Sequence, residues 1–303
     1  MSSMPGIVIS TLTLLLIAGG SFLHGVTPQK ITKGAEYDCS SFDTPTLIAK
    51  SAFVYDIKTS QTIFEKNADA QMPLASLTKI MTVLVASRTL PAHSEVVIEP
   101  EALTPEGDSE FTIGEVWRLQ DLIDFTLITS SNDGAHALGL ATSRYKKETA
   151  NDFVARMNAL AHTMGLTQTY FLNDTGLDVS KTLAGAYGSA RDTALLLAEI
   201  SQKDEAVYSQ STSAEKTFVT PTGKTYHAEH TSSITGTVPG EIASKTGFTD
   251  LAGGNLSLIV EPVVGHPVAL VVLGSTRDGR NSDILTLNEY AKKTLKRATL
   301  CKK

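Results

Sequence analysis

The chain has 303 residues, 42% of them hydrophobic and 19% charged, with a formal net charge of −6. Those values describe a globular body of one large domain or two modest ones, and exclude a disordered chain and a polytopic membrane protein. The acidic balance argues against nucleic acid as a partner.

The first 29 residues, MSSMPGIVISTLTLLLIAGGSFLHGVTPQ, carry no charged side chain; Lys30 is the first. The apolar stretch from Gly6 to Val26 is long enough for the ~20 residues a bilayer-spanning helix needs and also fits the apolar part of a secretory signal. Residues 1–28 are therefore expected to be a signal peptide or N-terminal membrane anchor, with the rest exported to the outer face of the cytoplasmic membrane. Residues 29–50 are rich in Thr and Ser, without a period, and read as a linker. The segments 51–57 and 62–66 read as a β-hairpin around KTSQ. Helices are expected over 76–90, 118–128, 134–145, 151–165 and 189–201, with Pro91 and Gly165 as stops. Two apolar runs, 254–262 and 266–274, flank a turn at Val264-Gly265, and 281–298 closes the chain as a helix.

Strands thus come first and last with helices between. The pattern predicts an α+β domain over 51–303, with one antiparallel sheet built from both ends of the chain, flanked by helices. An all-helical subdomain is inserted at about 91–215. The chain has two cysteines, Cys39 and Cys301. In an exported protein they are a candidate disulfide, one whose loop of about 260 residues could contribute about 4–5 kcal/mol in the chain-entropy model.

Three short patterns carry chemistry. In PLASLTKIMT, Ser76 and Lys79 are three apart and share a helix face. A free lysine is protonated and inert as a base, but burial or a second cation lowers its pKa until it can take a serine proton. The plain alternative is a helix cap at Ser76 and a solvated Lys79. In ITSSNDGAHAL, Ser130 and Asn132 stand at a break between two predicted helices, where an ordinary N-cap is the competing explanation. In ASKTGFTD, Lys245, Thr246 and Gly247 precede the strand-rich third, where a turn with a mobile lysine competes. All three occurring in this order point away from the plain alternatives.

With these residues the sequence resembles the penicillin-recognising serine enzymes, in which S-x-x-K, S-x-N and K-T-G recur. More narrowly it resembles the D-alanyl-D-alanine carboxypeptidases among the low-molecular-mass penicillin-binding proteins. The match extends over LASLTKIMT (74–82), SSNDGAHAL (130–138), FLNDTGL (171–177), SARD (189–192), SKTGFTDLAGGNL (244–256) and VVLG (271–274), roughly residues 50–295. The resemblance implies a β-lactamase/transpeptidase-like fold and an acyl-enzyme on Ser76, with Lys79 as base. Ser130 would relay a proton to the leaving amine, and Asn132 would hold Lys79 and the substrate amide. Lys245 would keep the site electropositive and depress the pKa of Lys79, and Thr246 would bind the substrate carboxylate. Gly247 would let the peptide lie close to its strand. The N–H groups of Ser76 and Phe248 would form the oxyanion hole, one such donor being worth about 3–4 kcal/mol. Arg280 would help bind the carboxylate, with Arg277 as its competitor. Peptidoglycan stem peptides are the implied substrate and β-lactams the implied inhibitors, with no cofactor or metal.

The chain departs from the pattern in places. Ala243-Ser244 replaces the usual Gly and apolar residue before the lysine, and Ser131 puts a second hydroxyl beside Ser130. The additional β-domain and C-terminal amphipathic anchor of many members are not expected here, and tethering is expected from the N-terminal segment. A class A β-lactamase needs a carboxylate for its deacylating water, and no glutamate occurs between Glu148 and Glu199. An endopeptidase or transpeptidase on the same scaffold shares every motif. A cell-wall-binding module would not need the full catalytic set. His227 and His230 miss the zinc-peptidase spacings.

Overall fold

The computed structural model describes residues 43–107, 111–208 and 210–301. The predicted signal or anchor and most of the predicted linker lie outside the described residues. Cys301 is disulfide-bonded; Cys39, its expected partner, also lies outside the described residues. What is described of the linker belongs to the fold. Leu47 and Ala49 are buried, and the N–H groups of Ile48 and Ala49 donate to the Asp283 carboxylate at 2.8 and 2.9 Å.

In chain order the strands are β1 (Ser51–Asp56), β2 (Gln61–Lys66), β3 (Met72–Pro73), β4 (Glu95–Val97), β5 (Val116–Arg118), β6 (Tyr170–Phe171), β7 (Ala186–Gly188), β8 (Glu215–Val219), β9 (Thr225–Glu229), β10 (Glu241–Thr249), β11 (Gly253–Val263) and β12 (His266–Ser275). The α-helices are α1 (Thr78–Thr89), α2 (Leu119–Thr129), α3 (Asn132–Lys146), α4 (Ala150–Thr163), α5 (Ala190–Lys203) and α6 (Gly279–Leu300). The main sheet is antiparallel with strand order β10-β11-β12-β1-β2, so both ends of the chain build it, as the sequence predicts. The helical layer is interleaved with short antiparallel pairs that the sequence reading does not anticipate: β4-β5, β3-β7-β6 and the hairpin β8-β9.

Both faces of the sheet are covered. Val268, Leu270 and Val272 point to one core with Ile284, Leu287, Ala291 and Leu295 of α6. Ala269, Val271 and Leu273 point to the other core, with α1 and α5. Side chains alternate faces along a strand, which is why VALVVL reads as an unbroken apolar run. Helix α1 has no polar face: every residue from Thr78 to Ala86 is buried, as befits a helix enclosed on all sides.

A second anchor is aromatic. Trp117 of β5 sits 5.2 Å from Phe125 of α2, 6.0 Å from Phe218 and 4.9 Å from Tyr226, joining the β8-β9 hairpin to the helices. Phe125→Ala should cost about 3–5 kcal/mol, read as a lower urea midpoint by the fluorescence of Trp117, the sole tryptophan. An unchanged midpoint would show that the hairpin is held by other contacts.

Candidate active site

Ser76 is placed from both sides. Just before it, the Leu74 N–H donates to Ala186 O at 3.0 Å. Buried Asn255 on β11 donates through Nδ2 to the carbonyls of Pro73 and Leu74 at 2.9 and 3.1 Å, and its Oδ1 accepts from Gly274 N–H at 2.9 Å. This amide ties the approach to Ser76 onto the sheet. Ala75 has φ +49°, a left-handed conformation that costs a residue with a Cβ about 1–3 kcal/mol and is tolerated where packing over-determines it. A 3-10 turn, Ala75–Leu77, then runs into α1. The predicted single helix from Ser76 is thus a 3-10 turn followed by an α-helix from Thr78, which leaves Ser76 at the helix N-terminal end, where developing negative charge is favoured.

Lys79 is 0% exposed. Its Nζ donates to Ser76 Oγ at 3.0 Å, Asn132 Oδ1 at 2.7 Å and the Thr175 carbonyl at 2.7 Å. Burial lowers its pKa to about 7, with the charge of Asp174 acting in the opposite direction. Burial is therefore the main cause, the first of the two routes by which the sequence reading makes this lysine a base. The pKa of Lys245 is lowered by burial first, then by the charges of Lys79 and Arg280.

The adjacent hydroxyls divide their tasks. Ser130 ends α2 at φ +61°, and its Oγ accepts from Lys245 Nζ at 2.7 Å. Ser131 caps α3, its Oγ accepting from Gly134 N–H at 2.8 Å. Ser130 alone of the two lines the cavity beside Ser76. Asn132 opens α3 and is pinned from behind, donating through Nδ2 to the Glu106 carbonyl at 2.5 Å.

The third wall is β10, the edge strand of the sheet. The sequence reading leaves this stretch as a possible turn because polar residues occupy it. Ala243 to Gly247 are in fact all buried. Lys245 pairs with Ser257 and Gly247 with Asn255 across the ladder. Lys245 Nζ also donates to Thr246 O at 2.8 Å. A Cβ on Gly247 would fall 2.8 Å from Leu74 O and 3.2 Å from Ser76 N, so the close approach requires glycine. Thr246 shares a hydrogen bond with Thr231. Arg280, at the start of α6, is buried and donates to the carbonyls of Gly247 at 3.0 Å and Thr231 at 3.3 Å. Arg277 instead lies over the ring of Phe248, 4.2 Å from its centroid; Phe248 is 40% exposed.

All nine predicted site residues come together. Seven of them, Ser76, Ser130, Thr246, Gly247, Phe248 and Arg280 on its walls with Lys245 reaching it through Ser130, surround a cavity of about 440 Å³. Lys79 and Asn132 stand behind Ser76. Thr231, Ser233, Arg277, Asp278 and Asn281 complete the lining. His227 lies on β9, while His230 is half-buried beside β10. Burial together with the charges of Lys245 and Arg280 pushes the pKa of His230 down to about 4, so it is neutral at ordinary pH. Sequence reasoning missed Asn255 and the Thr175 carbonyl as parts of the site. Both lie inside segments it quoted, but a main-chain acceptor and a bracing amide have no side-chain signature of reactivity.

A family model described as D-alanyl-D-alanine carboxypeptidase matches residues 39–277. The D-alanyl-D-alanine carboxypeptidase DacF of Bacillus subtilis is 29% identical over 249 residues, which cover 80% of this chain. The chain spans 62% of that protein's length. A D-alanyl-D-alanine endopeptidase of Escherichia coli is 28% identical over 282 residues, covering 89% of this chain and 83% of its own length. Penicillin-binding protein D2 from Listeria monocytogenes, solved in its cefotaxime-bound form, superimposes with a TM-score of 0.70 at 29% identity, covering 82% of this chain and 99% of that one. The fold, the site and these matches agree, and the chain belongs to the D-alanyl-D-alanine carboxypeptidase family.

Proposed function

We propose that this protein is a serine-type D-Ala-D-Ala carboxypeptidase that removes the terminal D-Ala from peptidoglycan stem peptides. The observation that carries the reading is Lys79, fully buried and 3.0 Å from Ser76 Oγ, in a site whose opposite wall holds the Lys245–Ser130 contact. With a pKa of about 7, a substantial fraction of Lys79 is neutral at neutral pH and able to accept a proton.

In this reading Ser76 Oγ attacks the carbonyl of the penultimate D-Ala as Lys79 Nζ takes its proton. The N–H groups of Ser76 and Phe248 hold the oxyanion, favoured by the close approach of Gly247 to Ser76. The C–N bond breaks, and Ser130 passes a proton to the departing amine. Free D-Ala leaves, and water hydrolyses the ester on Ser76. The peptide lies along the edge of β10, with Asn132 on its amide. Its carboxylate meets Thr246, Thr231 and the cationic end formed by Lys245 and Arg280. A β-lactam, with a strained amide and a carboxylate in similar relation, acylates the same oxygen. The relatives include an endopeptidase of closely matching extent, so cleavage of a D-Ala cross-link is the second reading. Purified cross-linked muropeptides against monomeric pentapeptides separate the two. The proposed place of work is outside the cytoplasmic membrane, with residues 1–28 as signal or anchor. Among the described residues no helix is long and apolar enough to cross a membrane.

Intact mass after benzylpenicillin should show a long-lived adduct on the wild type and none on Ser76→Ala. Absence of any wild-type adduct would reject the reading. Lys79→Ala should slow acylation about a thousandfold, within the range for loss of a general base, and a near-normal rate would remove Lys79 from that role. Stability carries an independent sign. The folded pKa of Lys79 lies below its ordinary 10.5, so the unfolded chain holds the extra proton between about pH 7 and 10.5, and stability rises with pH across that window. The wild type should therefore gain on Lys79→Met from pH 7 upward in denaturant titrations, with a flat difference below. A difference independent of pH would mean that Lys79 is charged in the fold.

A further inference from the structure

His136 and Asp174 take part in no step of the acyl transfer, yet they stand directly behind the base. His136 lies four residues after Asn132 on α3 and so shares its face. Its Nδ1 is 2.8 Å from Asp174 Oδ2. Asp174 is only 6% exposed. Its carboxylate rests on α3 at Gly139, where a Cβ would come within 2.6 Å of Oδ2. The main-chain carbonyl of Asp174 accepts from Thr82 Oγ1 at 2.6 Å, one turn along α1 from Lys79. The next residue, Thr175, gives its carbonyl to Lys79 Nζ. Asn173 closes the segment, accepting from Gly176 N–H at 2.7 Å and donating to Leu177 O at 2.9 Å. One peptide unit therefore separates the His136–Asp174 contact from the acceptor that holds the base.

We propose that the His136–Asp174 pair is a positioning device for Lys79, which fixes the Thr175 carbonyl and sets how tightly Lys79 holds its proton. The inference rests on the reading of Lys79 as the base. The charges bearing on His136 are Asp174 from the facing segment and Asp133 from its own helix. Lys79 on α1 also feels the charge of Asp174. Alone, the Asp174 carboxylate strengthens the hold of Lys79 on its proton. The Asp174 hydrogen bond raises the pKa of His136, and in its protonated form the ring offsets that carboxylate. The two partners therefore push the base in opposite directions.

The test is a pair of variants with opposite expected signs. Asp174→Asn keeps the shape and removes the negative charge, so Lys79 should lose its proton at lower pH. His136→Gln keeps a donor and removes the positive charge, so Lys79 should lose its proton at higher pH. Each shift should be about one pH unit. The readouts are the midpoint of the acidic limb of benzylpenicillin acylation and, independently of activity, the 15N NMR titration of lysine Nζ, assigned with Lys79→Arg. Opposite shifts in folded variants establish the device. Midpoints equal to wild type, or both shifts in one direction, overturn it. If Asp174→Asn does not fold, His136→Gln decides alone: an upward shift supports the device and an unmoved midpoint overturns it. If the wild type forms no adduct while the NMR midpoints still separate, the proposed function fails and the coupling stands.

Discussion

The site depends on keeping one lysine out of water. An ammonium enclosed on every side loses its hydration, and only good acceptors or loss of the proton relieve the cost. Lys79 has both. Helix α1 is buried around its circumference from Thr78 to Ala86, and Lys79 is 0% exposed. Three acceptors from three elements, Ser76 Oγ, Asn132 Oδ1 and Thr175 O, meet its three donors. Either state of the nitrogen is accommodated, which a base that must cycle between them requires. The same geometry explains why the helix starts with a 3-10 turn. A smooth helix from Ser76 would not need the left-handed Ala75, and the strain there is held by Asn255 and by Gly176, where a Cβ would meet Ala75 O at 1.9 Å.

The second constraint is an edge strand that stays free for a ligand. Exposed edges invite pairing with other chains, and β10 is protected by what surrounds it. The Gly247 carbonyl is taken by Arg280, the guanidinium of Arg277 lies over one face of Phe248, and the 3-10 turn Ala75–Leu77 packs tightly on β10 at Gly247. An extended peptide can add to such an edge by main-chain hydrogen bonds only where side chains are small, which is what Thr246-Gly247 supplies.

Much of this was legible in the residues, and the rest was hidden for identifiable reasons. The two apolar runs in 254–274 around Val264-Gly265 read as a buried hairpin, and both ends of the chain meet in one sheet as expected. β10 escaped because its polar residues face a site, so neither an apolar run nor an alternation marks it as a strand. The hairpin β8-β9 escaped because alternation there is confined to Phe218, Tyr226 and Ala228 among exposed polar residues. Motif order brought forward Ser76, Lys79, Ser130, Asn132 and Lys245. It could not divide Ser130 from Ser131, because that depends on which hydroxyl caps α3.

The two lysines also show how one cavity can hold opposite demands. Lys79, Lys245 and Arg280 are all buried, and burial lowers the pKa of each. In the proposed reaction Lys79 must be neutral and Lys245 charged. An entering carboxylate favours protonation of any amine near it, but the interaction falls with distance. Lys245 contacts Ser130 and Thr246 O, and Arg280 reaches Gly247 O and Thr231 O, so both belong to the end lined by Thr246. Lys79 lies behind Ser76, toward Asn132 and Thr175. A carboxylate bound at Thr246 therefore favours the charged form of Lys245 more than that of Lys79. In the proposed reaction the bound carboxylate thus biases the protons toward the cation beside it and away from the base beside the nucleophile.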